Sequence, residues 1–227
     1  MRRLIFDLDG TLLDISKKYY LSHFIACKKV NISPLLESNY WKYKRKKVPE
    51  YKILKLTKNS RIFKQYENWR LSYLEDPKIL KNDKLFPNLL KLLKELKKNN
   101  LLYLITLRRN KKNLFTQLKN LKIINLFEKI LTSPPKKNPL LTKVKLSKKI
   151  KAVFNPDDII IGDTEVEIQL AKKLKVKSVA LASGIRSIDI LKKFKPDYIF
   201  KNISVFLKDF LKEYEKSKNN NDNARIQ

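Results

Sequence analysis

Much of the usual catalytic equipment is missing from these 227 residues: they contain one cysteine, Cys27, one histidine, His23, one methionine and three glycines. A single cysteine excludes a disulfide framework within the chain. With a single histidine beside it, a cysteine/histidine zinc site built from one copy is excluded too. A serine–histidine triad would have to use His23 as its base. No apolar run approaches the roughly 18 residues needed to span a bilayer. The opening Met1-Arg2-Arg3-Leu4-Ile5-Phe6 runs straight into Asp7, without the apolar stretch of a secretion signal. The expectation is a soluble protein of a reducing cytosol, with no membrane partner.

Negative charge is also scarce, with 22 acidic residues against 52 basic ones and a formal charge of +30. Such a balance attracts anions, nucleic acid among them. Only nine of the 52 basic residues are arginine, however, and the charge is spread along the whole chain. Abundant lysine, asparagine and isoleucine with little glycine fit an AT-rich genome, whose codons favour those residues. Compositional drift on solvated faces and a functional anion-attracting surface both stay open.

What is present is a series of short apolar runs. Leu4-Ile5-Phe6, Leu101 to Thr106, Ile130-Leu131-Thr132, Ile159-Ile160-Ile161-Gly162 and Val176 to Leu181 read as buried strands. Segments with helical spacing lie between them, such as Leu89, Leu90, Leu92, Leu93 and Leu96, or Ile168, Leu170, Ala171 and Leu174. Strands apolar on both faces that alternate with helices predict an α/β protein, a parallel sheet covered on both sides. Residues 16–84 break the alternation: they are rich in aromatics, from Tyr19 and Tyr20 to Trp69 and Tyr73, and are punctuated by Pro34, Pro49 and Pro77. They read as a small all-helical insertion after the first strand. The core would then be discontinuous, residues 1–15 and 85–213, and residues 217–227 lack an apolar face and are expected to be a disordered tail.

Ligands of open parallel sheets bind where the strands end at their carboxyl edge. The first strand ends in Asp7-Leu8-Asp9-Gly10-Thr11-Leu12 and the fourth in Gly162-Asp163-Thr164-Glu165-Val166-Glu167. Carboxylates crowded at the end of a buried strand are costly unless a cation neutralises them, and hard oxygen donors without histidine or cysteine suit Mg²⁺. Thr106 ends the second strand and Lys136-Lys137 follows the third. Acids for a metal, with a hydroxyl and an ammonium for a phosphoryl group, make up a phosphoryl-transfer site.

Over roughly residues 1–212 the chain resembles the haloacid dehalogenase superfamily, in particular its phosphoglycolate phosphatase-like branch with a helical cap. Asp7-Leu8-Asp9-Gly10-Thr11-Leu12 matches the first motif in full, Thr106 stands at the second, and Ile161-Gly162-Asp163-Thr164 with Glu167 looks like the fourth. The third motif is a lysine commonly followed by proline three residues on, a spacing met by Lys136 and Pro139, with Lys137 the neighbouring alternative. The resemblance implies a Rossmann-like core and an aspartyl-phosphate route. Asp7 would attack phosphorus, and Asp9 would protonate the leaving oxygen and then deprotonate the water, a role worth roughly 10²–10⁴-fold in rate. It implies Mg²⁺ held by Asp7, the backbone carbonyl of Asp9, Asp163 and the matching acid Glu167, with phosphoryl oxygens held by Thr106 and Lys136 or Lys137. Three departures stand out: Glu167 in place of a second aspartate, Leu107-Arg108-Arg109 directly after Thr106, and Phe86-Pro87-Asn88 where many relatives have proline-glycine.

The expected activity is a Mg²⁺-dependent phosphatase acting on a small phosphorylated metabolite. A phosphosugar mutase on the same fold, and a basic nucleic-acid- or nucleotide-binding protein on an idle scaffold, are the alternatives. His23 is expected to be a packed or surface residue of the insertion rather than a catalytic one, Cys27 to be buried and inert, and the aromatics of residues 40–43 and 63–73 to form the core of the insertion rather than a stacking platform for bases. Lys42-Tyr43-Lys44-Arg45-Lys46-Lys47 is either a solvated face or, under a closing cap, an attractor for anionic substrate.

Overall fold

Apolar residues on both faces of a strand need cover on both sides, and the five runs receive it. The computed structural model describes residues 1–150 and 153–223. Strands β1 (Arg2–Phe6), β4 (Asn100–Leu107), β5 (Lys129–Ser133), β6 (Ile159–Gly162) and β7 (Lys177–Leu181) correspond to those runs. A sixth strand, β8 (Tyr198–Phe200), escaped the sequence reading because it is three residues long and follows Pro196-Asp197. The six lie in the order β5-β4-β1-β6-β7-β8, every neighbouring pair parallel. β1 is therefore central, and its carboxyl end is flanked by those of β4 and β6.

Alternate residues of β1 face opposite layers, as the period of two requires. Leu4 and Phe6 pack with Leu93 and Leu96 of α6 (Leu89–Lys97) and Leu207 of α11 (Ile203–Asn223). Ile5 packs on the other face with Leu146 of α8 (Pro139–Ser147) and Leu170 of α9 (Glu165–Leu174). α7 (Lys111–Asn120) covers the first face beside β4. Asn88 adopts φ 62°, a left-handed conformation that asparagine tolerates better than most residues. The last helix runs through Asn223, so residues 217–223 are helical rather than a disordered tail. Phe206 and Phe210, both buried, anchor its first half, and the later turns extend a helix already nucleated. Residues 224–227 lie outside the described residues.

Between β1 and α6 the chain leaves the sheet and returns. The exit and return are paired as a two-stranded antiparallel ribbon, β2 (Leu13–Asp14) with β3 (Lys84–Leu85), which was not foreseen. The intervening residues form five helices: α1 (Ser16–Lys29), α2 (Glu37–Arg45), α3 (Glu50–Ile53), α4 (Arg61–Tyr73) and α5 (Pro77–Leu80). They have a core of their own in Ala26, Cys27, Phe63 and Tyr66. His23 is buried there, stacked on Tyr40 at 4.5 Å between ring centres and hydrogen-bonded through Nδ1 to the Tyr66 hydroxyl at 2.8 Å. Tyr66 gives its single proton to Glu50, so His23 is the donor in that contact.

Candidate active site

Asp7 extends β1 by one residue, its N–H bonded to the Ile161 carbonyl at 3.0 Å. The chain then folds back on itself: the N–H groups of Leu12 and Leu13 both reach the Leu8 carbonyl, at 2.9 and 3.0 Å. Gly10 sits in this turn at φ 80°, and a Cβ there would stand 2.3 Å from Asp163 Oδ2. On the other side, a Cβ on Gly184 would stand 2.0 Å from the same oxygen. Two of the three glycines are thus required because the Asp163 carboxylate is wedged between two backbones. The Ile185 N–H donates to its Oδ2 at 2.7 Å.

Beside this wedge lies a buried ammonium. Lys143, on the inner face of α8 and 4% exposed, donates to Asp7 Oδ1 at 2.5 Å and to Glu167 Oε1 at 2.6 Å. The other oxygen of Glu167 accepts from the Thr164 hydroxyl at 2.5 Å. Burial works against the Lys143 charge, but Asp7 and Glu167 outweigh it and hold the ammonium protonated, above its ordinary range. Burial, reinforced by Glu167 and Asp9, pushes the Asp7 carboxyl up to about 6 against the pull of Lys143. Asp163 is raised well above the carboxylate range by burial, Asp7 and Glu167.

Asp9 faces a different set of partners. Its Oδ1 accepts from Lys18 Nζ and from Arg108 Nη2, each at 2.7 Å. Burial would raise its proton affinity, but Arg108 and Lys18 together hold it down to about 2. Lys18 and Arg108 are themselves buried, and both lie near Asp83, at 2.7 and 3.7 Å from its Oδ2.

Asp7, Asp9, Thr106, Lys143 and Asp163 line one cavity of about 300 Å³, closed on the insertion side by Tyr19. A smaller space of about 80 Å³ adjoins it between Asp9, Leu74, Arg108 and Arg109. The insertion is tied down on both sides of these cavities. Glu75 accepts from the N–H groups of Arg109 and Asn110 at 2.8 and 2.7 Å. Lys47 reaches Glu165 at 2.6 Å, and the Ser187 N–H reaches the Arg45 carbonyl at 3.1 Å.

The expected site residues Asp7, Asp9, Thr106 and Asp163 thus share a cavity, and Glu167 lines it too. Lys136 and Lys137 do not: they are exposed and line a separate surface cavity. Pro139 opens α8, and the residue one turn further along its buried face is Lys143, so the ammonium next to Asp7 comes from the helix and not from the loop before it. The spacing rule pointed to lysines that lie outside this cavity. A better signal was available, because Lys143 stands on the stripe with Leu146 and Ser147, while Lys145, Lys148 and Lys149 point outward. Lys18 was missed although it lies on the buried stripe of α1 with Ser22, His23 and Cys27.

The donor set fits a divalent cation. Asp7, Asp163 and Glu167 meet with Lys143 as their one close ammonium, which leaves net negative charge in a buried place and accounts for the raised Asp163. Glu167, expected as a metal ligand, has one oxygen bonded to Lys143 and the other to Thr164. Among the described residues no three acidic, histidine or cysteine side chains form a metal cage by themselves. Asp7 and Asp163 remain as side-chain donors, and a pair of hard carboxylates is the kind of partial ligand set that suits Mg²⁺.

The family model of haloacid dehalogenase-like hydrolases matches residues 4–181. A hydrolase of the haloacid dehalogenase-like family from Streptococcus pneumoniae is 25% identical, with a TM-score of 0.73 over 92% of this chain and 98% of that one. A predicted phosphatase from Clostridium acetobutylicum is 23% identical, with a TM-score of 0.72 over 93% and 98%. A predicted phosphoglycolate phosphatase from Haemophilus somnus is 24% identical, with a TM-score of 0.71 over 92% and 98%. No curated protein matches the sequence.

Proposed function

The chain belongs to the haloacid dehalogenase-like hydrolases, and we propose that it is a phosphatase that hydrolyses a small phosphomonoester through a phosphorylated Asp7. The observation that carries this reading is the Lys143 ammonium bound at once to Asp7 and Glu167, in one cavity with Thr106 and Asp163. That set offers a nucleophile and, for a phosphoryl group, a fixed cation and a hydroxyl.

An Asp7 oxygen attacks phosphorus, the ester P–O bond breaks, and the leaving oxygen takes a proton from Asp9. Water then attacks the phosphorus of the aspartyl-phosphate and gives its proton to Asp9. The bond to Asp7 breaks, and inorganic phosphate and the free carboxylate are restored. Arg108 and Lys18 keep Asp9 ionised, the form that accepts a proton. For the first step Asp9 takes its proton from a substrate that binds as the phosphate monoanion, and the dianion left beside it raises its proton affinity, so that it can pass that proton to the leaving oxygen. Mg²⁺, held by Asp7, Asp163 and the Asp9 carbonyl, would neutralise the anions that must approach each other. Lys143 and Thr106 bind the phosphoryl oxygens, and Glu167 keeps Lys143 aimed.

The helices of residues 16–80 act as a cap, with Tyr19 and Leu74 over the leaving group. Cavities of about 300 and 80 Å³ suit a compact metabolite. The test is release of phosphate from acetyl phosphate and p-nitrophenyl phosphate with and without Mg²⁺. The expected result is metal-dependent release. Equal release in the presence of a chelator removes the metal from the scheme.

A further inference from the structure

Asp9 is not free to turn. Its Oδ1 is held by two cations, and no other side chain among the described residues bonds to Oδ2, which is left for the cavity. One of those cations, Lys18, is 1% exposed and is held from behind by Asp83 Oδ2 at 2.7 Å. Asp83, 5% exposed, is fixed in turn by Gln117 Nε2 at 2.8 Å. Gln117 also accepts from Arg108 at 3.3 Å, so two cations and two anions form one buried, neutral cluster.

A buried ion pair is a poor way to gain stability, since the same space filled with apolar side chains avoids the desolvation cost. This cluster has a position that explains it better. Lys18 lies in the first turn of α1, just past the exit from the sheet, and Asp83 immediately precedes the returning strand β3. The line Asp83–Lys18–Asp9 therefore runs from both chain crossings to one carboxylate oxygen. In the proposed chemistry Lys18 acts only through its charge on Asp9, and Asp83 has no part.

We propose that Lys18 and Asp83 are positioning residues that aim Asp9 at the leaving-group oxygen, so that the seating of the helical insertion on the sheet sets that aim. This rests on the reading of Asp9 as the proton carrier. Neither residue touches the substrate, and their effect passes through Asp9.

The experiment compares phenyl phosphate with p-nitrophenyl phosphate, which are similar in shape but differ in how much their leaving groups need a proton. kcat/KM reports the first phosphoryl transfer, the step in which that proton is given. Asp83→Asn is expected to lower kcat/KM for phenyl phosphate about tenfold and for p-nitrophenyl phosphate about twofold or less, as misplacement of a general acid predicts. Because one unpaired buried charge can unfold the chain, the charge-balanced Lys18→Met/Asp83→Asn variant is measured in parallel, with the same expectation. Parallel loss on both substrates, or no loss, overturns the proposal. Asp9→Asn serves as the control. Selective loss there without selective loss in the Asp83 variants defeats this proposal alone, whereas equal loss on both substrates defeats the reading of Asp9 and this proposal with it.

Discussion

The Lys143 ammonium lies 2.5 Å from Asp7 Oδ1, although 136 residues separate the two in sequence. The contact joins the end of the central strand to the inner face of α8, and Glu167, one turn into α9, completes it. Three elements that meet only when the sheet is assembled thus converge on one carboxylate. The site forms with the fold.

If Lys143 holds the phosphoryl group, Lys143→Ala abolishes phosphate release, while the double variant Lys136→Ala/Lys137→Ala keeps wild-type turnover. The Lys143 variant also leaves Asp7 and Glu167 without their cation. Breaking a buried pair costs about 3–5 kcal/mol, so thermal melting separates loss of fold from loss of function. Full activity in Lys143→Ala, or loss in the double loop variant, would return the role to the loop.

Asp163 is gripped by two glycine backbones, and the structure predicts that neither tolerates a methyl group. In Gly184→Ala the new Cβ would meet Asp163 Oδ2 at 2.0 Å and must displace it. The expected outcome is a folded protein that needs at least about tenfold more Mg²⁺ for half-maximal activity, the scale of loss seen when metal-site supports are disturbed. A Mg²⁺ titration of the rate, read beside a melting curve, checks it, and an unchanged titration argues against Asp163 as a ligand.

His23 gives the insertion a pH dependence of known sign. Burial lowers its pKa to about 4 from 6.5. Between those values the unfolded chain binds a proton that the folded chain refuses, so this term makes the protein less stable as pH falls from 6.5 towards 4. Asp7 works in the opposite direction. Its folded pKa is raised to about 6 from 3.8, so its term favours the fold as pH falls through that range. The clean observable is therefore the difference between wild type and His23→Gln in melting temperature across pH 7 to pH 5. The wild type should lose more on acidification than the variant, and identical slopes would mean that His23 is not held neutral.

Much of this was legible in the chain, and each part that was not has its own physical cause. Five strands could be read because each is a continuous apolar run, and the acids stood out because Asp7, Asp9 and Asp163 end such runs. Three-residue β8 and the two-residue ribbon β2–β3 are too short to show a period. Lys143 and Lys18 were hidden for another reason. In a chain with 52 basic residues a lysine carries little information by type, and these two differ from the rest only in standing on a helix's buried stripe. Arg108 stood out only as a departure from the family pattern after Thr106, and its bond to Asp9 depends on the ends of β1 and β4 coming together, which no local pattern encodes.

The central claim is that Asp7 carries the phosphoryl group. Mixing the enzyme with Mg²⁺ and acetyl phosphate, quenching with acid within the first turnover, and mapping peptides by mass tests it most directly. The account predicts one added phosphoryl group on the peptide containing Asp7, absent from Asp7→Asn, which also releases no phosphate. Undiminished release by Asp7→Asn, or a phosphoryl group found on a different residue, would contradict it.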